Sequence, residues 1–598
     1  MRKVFALILI VIVGMFLFTA CEDDSSEQGK TAKTVKKVKK QARKSNEVKI
    51  SFTEDEKQYL SGVARKALEH WVKNEERYRP DDVPASLKGR KVNRVFATIY
   101  KKGDWRGCVS AKGRDAVDAT VKSVINTCKD KRFENPAVSE LNDIRVEVSF
   151  LQPFELISTK DPEQIKKELE PGVHGISVKH SSGKRAFFLP YVFVKKQRTT
   201  ITWLERICKK AGLKKDDWKS PETSIYRYGT INFIEETPNG RAVDLYRYKV
   251  ELDSLKKTAV TDAIDLSVKW FAKSRNDQSN EYLTGYNMKH KAIRKNDVTL
   301  QMFANAAIAK ANTLGVKGAD IASVEQAVSK GMSDLMIEIP TKDQLESLLV
   351  LAEAVVNGEK IKNRKKLASQ LLDYFKDHSA DIVKNGKRIK DLSNYAVFVI
   401  SGLAETSKSK QHIKFASEFY GDNWMPGAGY SLLALLAFNK VAKTDGMNEK
   451  IIKETKLIIS KQYTSKMAPY RDFIGSFKNG KTPSTFGVSV YLRSLASIYK
   501  YWTVTESFPH ENGELRQSIL DASMFATRWI LEQQFTEESA FYFKSYKDAL
   551  GAFKQDILLN TTMLDDTANA LLALLSTNQY LGKEISEAFE NSADVLVK

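Results

Sequence analysis

The sequence predicts a multidomain protein: a mixed α/β (α+β) domain followed by an all-α domain whose helices pair into a ring. Between residues 52 and 236, short runs of period-two alternation are interleaved with amphipathic helices. Beyond about residue 250 the strand signal fades, and residues 255–598 read as about twelve helical segments in succession. Those segments are of two kinds, apolar almost all round or striped, which is how an inner and an outer layer of helices would differ. At 598 residues the chain is also too long for a single core.

The first 21 residues are set apart from both domains. Met1-Arg2-Lys3 is a basic start, Val4 to Phe18 is almost unbroken apolar sequence, and Thr19-Ala20 places small residues before Cys21. This order is that of a secretory signal, and the cysteine at the cut makes it similar to a bacterial lipoprotein signal, with Phe18 where Leu is usual. The apolar run is short of the ~20 residues that span a bilayer. The expectation is an exported protein of the cell envelope, anchored to the membrane through a lipid on Cys21. Residues 22–51 are rich in Lys, Gln, Thr and Ser without apolar periodicity, a basic flexible linker. The net charge of +21 would suit nucleic acid, but part of it lies in this linker, and an exported chain meets anionic lipid and acidic envelope polymers first. No nucleic-acid partner is expected.

In the α/β domain, Thr53-Glu54-Asp55-Glu56 caps a helix running to about Asn74. Residues 95–100 read as a strand and 114–128 as a helix with Val117, Val121, Val124, Ile125 and Cys128 on one face. Ile144, Val146, Val148 and Phe150 alternate with Arg145, Glu147 and Ser149, a strand with one buried face. Further strands are expected near 174–179, 185–189 and 229–235, with a helix at 200–212. The domain is expected to end at 236, followed by a linker over 237–254. Of the four cysteines, Cys128 and Cys208 lie on apolar helix stripes and read as core residues. No CxxC, HExxH or Cys/His cluster of zinc spacing occurs, so neither a metal nor a cofactor is expected.

That leaves Cys108, in Trp105-Arg106-Gly107-Cys108-Val109-Ser110, read as a loop between the strand at 95–100 and the helix at 114–128. Gly107 permits a close backbone approach, and a cation such as Arg106 together with a helix start lowers a thiol pKa. Arg-Gly-Cys-Val-Ser at 106–110, Asp-Lys-Arg-Phe at 130–133, Val-Glu-Val-Ser at 146–149, Val-His-Gly at 173–175 and the run 203–213 resemble, in order and spacing, the motifs of the AMMECR1 domain family, with Val109-Ser110 departing from its Ile-Gly. The resemblance implies an α/β fold with a cleft holding a Cys, a Glu and a His, here Cys108, Glu147 and His174. It ties no firm reaction to that cleft. It also implies Memo-like and radical-SAM partners, a cytoplasmic association at odds with an exported copy. The three residue types suit nucleophilic catalysis, the imidazole taking the thiol proton, with Arg106 or Arg132 holding an anion. They suit equally a cleft that only binds, or a structural thiol, a surface Glu and a turn His.

In the helical part, 345–356, 430–438 and 568–575 are apolar all round, whereas 362–376 and 448–461 are striped. Twelve helices make six pairs, an (α/α)6 toroid, with a superhelical stack of pairs as the competing arrangement. The toroid resembles, as a fold alone, glycoside hydrolases, polysaccharide lyases, sugar epimerases and terpenoid cyclases. Asp565 and Asp566 stand at the start of the apolar helix 568–575 and read either as helix caps or as one half of an acid–base pair with Asp422 or Asp472. Trp424, Tyr286 and Tyr470 are candidates to stack on sugar rings, and His290 with Arg294 to hold an anion.

Three functions follow as expectations: an enzyme on a glycan or carbohydrate-like substrate through the helical domain, a non-enzymatic surface binding or scaffold protein, or thiol chemistry in the AMMECR1-like domain. A small-molecule ligand is compatible with each.

Overall fold

The computed structural model describes residues 49–591 apart from 197–198, 252–254, 287–291, 294–296, 383–384, 428, 506–512 and 543–545. Cys21, the signal and most of the basic linker lie outside the described residues, as do His290 and Arg294. No helix among the described residues is long and apolar enough to cross a membrane. The chain divides into two compact units, Met1–Tyr248 and Lys249–Lys598.

The first unit begins at helix α1 (Glu54–Asn74). Its capping box forms as the sequence reads: the Thr53 hydroxyl accepts from the Glu56 N–H at 3.2 Å while Glu56 accepts from the Thr53 N–H at 2.9 Å. Helix α2 (Ala116–Cys128) is capped by Asp115. Strands β1 (Val95–Lys101), β2 (Asp104–Ala111), β3 (Ile144–Leu151), β8 (Thr230–Glu235) and β9 (Ala242–Tyr246) lie in one antiparallel sheet in the order β9-β8-β3-β1-β2. Strands β4 (Glu155–Ile157), β5 (Gly175–His180), β6 (Arg185–Phe188) and β7 (Thr223–Tyr228) form a second sheet, ordered β4-β7-β5-β6. One face of the first sheet packs on α1 and α2 through Ala97, Ile99, Val146 and Val148 against Leu60, Ala64, Val121, Val124 and Cys128. The second sheet packs on helices α3 (Pro162–Glu168), α4 (Pro190–Lys196) and α5 (Thr200–Lys210), with its own core around Trp203, Leu204, Ile207, Cys208 and Trp218.

Three expectations change here. Residues 104–111 are a strand, not a loop, so Cys108 sits in a hairpin with β1. Strand β3 is buried at every position rather than on one face, because the rest of the domain covers its polar side. The domain also continues past 236: β9 pairs with β8 inside the stretch read as linker.

Among the described residues of the second unit, apart from the single turn Tyr546–Ala549, twelve helices alternate between two layers. The inner helices are α7 (Val298–Thr313), α9 (Lys342–Asn357), α11 (Leu392–Ser407), α13 (Ser431–Val441), α15 (Thr485–Thr505) and α17 (Leu564–Asn591). The outer ones are α6 (Ala259–Ser274), α8 (Ile321–Leu335), α10 (Arg364–Asp377), α12 (Lys410–Asn423), α14 (Met447–Ser460) and α16 (Gly513–Gln533). Each inner helix packs on the next, and α17 packs back on α7, so the inner layer closes into a ring. This is the (α/α)6 toroid rather than an open stack. Leu345 to Val355 of α9 is buried without a break, whereas α10 buries only Ala368, Leu371, Leu372 and Phe375. Because every inner helix is preceded by an outer one running the other way, all inner N-termini gather at one end of the ring, its mouth.

Candidate functional site

The first candidate lies on the covered face of the first sheet. Cross-strand register places Cys108 opposite Thr98, and Thr98 opposite Glu147, so these three side chains share one face. The Thr98 hydroxyl donates to Cys108 Sγ at 3.3 Å and the Tyr191 hydroxyl approaches it at 3.8 Å. Glu147 accepts from Tyr100 at 3.0 Å and from Ser149 at 3.1 Å. The Tyr100 and Tyr248 hydroxyls are hydrogen bonded to each other, and the Tyr191 and Tyr248 rings stack with centroids 5.0 Å apart. Burial, then the charge of Glu147, raises the Tyr100 pKa well above that of a free phenol. A small, partly open cleft is lined by Glu147, Ser149, Gly172, Leu189, Pro190, Tyr191, Asn232, Leu245 and Tyr248.

The thiol is 1% exposed, and the two arginines expected to serve it are committed elsewhere. Arg106 pairs with Glu140 at 3.0 Å. The hydrogen bond from Lys101, with Arg106 assisting against burial, lowers the Glu140 carboxyl to about 2. Arg132 donates to the Cys108 carbonyl at 3.1 Å and pairs with Asp130, which in turn accepts from the Cys108 N–H at 3.1 Å. Burial opposes ionisation of Asp130, but these hydrogen bonds outweigh it and hold its pKa below the ordinary value. Arg132 thus braces the backbone of β2. Gly107 is required, since a Cβ there would stand 2.9 Å from the Thr127 carbonyl oxygen. His174 accepts through Nδ1 from the Glu170 N–H at 3.0 Å. Burial and then the Arg227 charge lower its pKa to about 4, so it is neutral at pH 7. Cys128 and Cys208 are core thiols, raised by burial to about 12 and about 11.

The second candidate is the mouth of the ring. Asp565 and Asp566 occupy the first turn of α17. Asp566 is buried and accepts from the Phe486 N–H, in the first turn of α15, at 3.2 Å. Its pKa is raised well above the ordinary value, first by burial and next by the Asp565 charge. Asp565, half-buried, is also raised by burial, with Arg388 opposing, and its Oδ1 has no protein partner. Arg388 donates to Asp297 at 2.6 Å, and Asp297 itself caps α7 by accepting from the Leu300 N–H at 3.3 Å. Glu346 holds the loop that carries Arg388, accepting from the N–H groups of Lys387, Arg388 and Ile389 at 2.9, 2.8 and 2.6 Å. Charged groups from the starts of α7, α11 and α17 therefore meet at one place.

Other sequence candidates fall differently. The carboxylates acting most on the pair are Asp297 and Asp556, in place of Asp422 and Asp472. Asp422 is exposed at the end of α12. Asp472 lies by α16, its carbonyl accepting from Trp529 at 2.9 Å. Trp424 is half-buried between α12 and α13, with its indole N–H on the Ser431 carbonyl at 3.1 Å. Tyr286 does reach the mouth: its N–H donates to the Thr562 hydroxyl at 2.9 Å, and Gly285 beside it pairs with Met563 just before α17. Only glycine fits there, because a Cβ would lie 2.0 Å from the Thr562 carbonyl oxygen. No group of three metal-ligating side chains occurs among the described residues. Thr98, Tyr100, Tyr191 and Arg388 were missed by sequence reasoning, whereas Asp297 closes the polar-aromatic cluster 282–297 that the sequence singles out; Thr98 and Tyr100 were accessible to it, since they alternate within a strand it identified.

The family model described as AMMECR1 matches residues 61–233. Protein MK0488 of Methanopyrus kandleri is 32% identical over 196 residues, which is 31% of this chain and 92% of that protein. A protein of Methanothermobacter thermautotrophicus is 33% identical over 186 residues, 30% of this chain and 95% of that protein. Among solved structures, the uncharacterized protein PH0010 from Pyrococcus horikoshii is similar at 29% identity, covering 33% of this chain and 98% of its own, with a TM-score of 0.31. The GH76A alpha-1,6-mannanase from Salegentibacter sp. HEL1_6 is similar at 9% identity, over 54% of this chain and 100% of its own, with a TM-score of 0.39.

Proposed function

By its N-terminal domain this chain belongs to the AMMECR1 family, and from that premise we propose that the family domain is one module of an envelope-anchored enzyme whose chemistry resides in the helical ring, on a glycan or carbohydrate-like substrate. The observation that carries this reading is the Asp565–Asp566 pair at the mouth: two adjacent carboxyls, both raised in pKa, with the half-buried Arg388 acting on both. Like charges in one partly dry site do not both ionise readily, so the pair titrates as a unit.

The division of labour follows from the surroundings. Asp566 is the more deeply buried and keeps its proton, which suits a general acid. Asp565 feels the opposing Arg388 charge and ionises first, which suits a base. Asp566 gives its proton to the glycosidic oxygen as the bond to the anomeric carbon breaks. A water molecule adds to that carbon and passes its proton to Asp565. One bond breaks, one forms, and two hydroxyl products leave. Tyr286, at the same mouth, supplies a ring on which a sugar face stacks.

The test is hydrolysis of a panel of glycans and aryl glycosides by the full chain. Asp566→Asn and Asp565→Asn should each lower kcat by ~10²–10⁴-fold. The wild-type pH profile should be bell-shaped, the first variant losing the alkaline limb and the second the acid limb. Turnover that survives both substitutions would remove the mouth from the mechanism. The tether is supported by the order of Met1-Arg2-Lys3, the apolar run and Thr19-Ala20-Cys21. Labelling with a radioactive fatty acid that persists in Cys21→Ser would sink it.

A second reading is favoured by the hydroxyls of Thr98 and Tyr191 aimed at Cys108 Sγ beside a cleft containing Glu147. A thiol chemistry confined to the family domain would show as alkylation of Cys108 whose rate changes in Thr98→Val.

A further inference from the structure

Lys310 stands in the last turn of inner helix α7, at the end of the ring away from the mouth. The axis of the ring is marked there by Arg493 of α15. Arg493 pairs with Glu353 of α9 at 2.6 Å, and its guanidinium lies 5.6 Å from the Phe398 ring of α11. Its charge acts on Tyr430 at the start of α13, on Lys310 and on Tyr580 of α17. The Lys310 side chain reaches Tyr580, with its Nζ 5.9 Å from the centre of that ring. Lys500 of α15 stands 4.4 Å from the same ring centre and donates to the Tyr580 hydroxyl at 3.4 Å.

Two amines from different helices therefore share one phenol, and neither has a carboxylate partner among the described residues. Burial first, and then the charges of Lys500, Arg493 and Lys440 against that of Glu359, bring the Lys310 amine down to about 8. At pH 7 roughly one such amine in ten is neutral, against roughly one in 2,500 for a free lysine. The amine is also within reach. Lys310 is half-buried, makes no hydrogen bond among the described residues, and its Nζ is not sealed from solvent. Two other lysines lowered by burial lack this combination: Lys160 donates to the Trp218 and Thr223 carbonyls, and Lys554 is 0% exposed.

We propose that Lys310 is a nucleophilic lysine, the amine of the helical domain that an activated acyl group modifies first. A lysine desolvated beside another cation and left open to solvent is the arrangement that makes an amine reactive at neutral pH. The Nζ lone pair attacks the acyl carbon and the amide bond forms. The bond to the leaving group breaks with its electron pair, and water takes the proton lost from nitrogen. The step uses none of the carboxyls at the mouth, so it goes beyond the glycan reading and stands without it.

The experiment is acetylation of the full chain with limiting N-hydroxysuccinimidyl acetate, each lysine being followed by peptide mass spectrometry between pH 6 and pH 10. At pH 7 Lys310 should react roughly fivefold or more faster than the exposed Lys365 and Lys366, the gain in free amine outrunning the loss of basicity. Its rate should level off above pH 8, where theirs still climbs, and the excess should vanish in denaturant. Lys554 should stay unmodified in the folded chain. Lys500→Met, a change at an exposed position, should slow Lys310 several-fold at pH 7 and leave it unchanged at pH 10, where the amine is free in both proteins. A structural disturbance would alter both rates alike. A smaller excess at pH 7, a rate still climbing at pH 10, or a pH 7 rate indifferent to Lys500→Met would overturn the proposal.

Discussion

The cleft of the family domain and the axis of the ring are both polar interiors, and they are built on opposite principles. In the cleft the polar side chains serve one another: Thr98 donates to Cys108, Tyr100 and Ser149 donate to Glu147, and Tyr100 meets Tyr248. On the axis and at the mouth, Arg493 Nη1, the Tyr430 hydroxyl and Asp565 Oδ1 are buried with no protein partner. A satisfied network is rigid and holds its shape unaided. An unsatisfied one carries a standing cost. The comparison assigns pre-organisation to the first region and a stored cost to the second.

The sharpest way to break this contrast is Arg493→Met alone. It strands the Glu353 carboxylate, 0% exposed, with Tyr395 and Asn357 as its remaining partners. Loss of one member of a buried ion pair costs about 3–5 kcal/mol. Denaturant unfolding of the helical domain should show a loss of that size, largely recovered by adding Glu353→Gln. A loss under 1 kcal/mol would mean that water reaches the axis and that Arg493 is not desolvated.

Asp566→Asn comes next and has the opposite sign. Its folded-state pKa lies above the unfolded value, so between the two the folded chain binds more protons than the unfolded one. That stability is fully present below the unfolded pKa and is lost as pH rises through the folded pKa. At pH 7 the variant, which carries no charge to desolvate and keeps an oxygen for the Phe486 N–H, should therefore melt higher than wild type. The difference should close as pH falls toward 4. A variant that melts lower at pH 7 would place a stabilising ionised Asp566 in the site and reverse the acid–base assignment.

How far the two regions were legible in the sequence differs for the same physical reason. Helix periodicity sorted the ring correctly: the apolar segments 345–356, 430–438 and 568–575 are inner helices and the striped 362–376 and 448–461 are outer, because burial on all sides or on one leaves a direct trace in the pattern. The carboxyl pair at 565–566 was legible as a helix start, but its neighbours Asp297, Arg388 and Asp556 lie up to 269 positions away, and closure of a ring has no local signature. In the first domain, Cys108 was read as a loop residue because Trp105-Arg106-Gly107 lacks alternation; the register irregularity between Ile99 and Tyr100 lies opposite it. Glu147 was placed correctly on the polar side of its strand, while the burial of that side depended on a second sheet whose β4 and β7 were not foreseen. His174 was chosen for its chemistry alone, and the structure gives its Nδ1 to the Glu170 backbone.

Within the satisfied cleft, Thr98→Val keeps the shape and removes one hydroxyl, leaving Cys108 Sγ with the longer approach from Tyr191. A net hydrogen bond is worth about 0.5–1.5 kcal/mol, and sulfur is a weak acceptor, so the cost in denaturant unfolding should lie at the lower end of that range. A larger loss would show that the cleft is strained and held together by this contact.

Tyr430→Phe is the smallest effect and the most direct comparison with it. Both substitutions remove one buried hydroxyl and little volume, but the Tyr430 hydroxyl has no protein partner to lose. Removing an unsatisfied polar group returns its desolvation penalty, so the free protein should be unchanged or slightly stabilised. Thr98→Val and Tyr430→Phe should then differ in sign although their chemistry is the same. If Tyr430→Phe instead costs as much as Thr98→Val, the hydroxyl is already satisfied in solution by bound water, and the axis is then a finished network like the cleft.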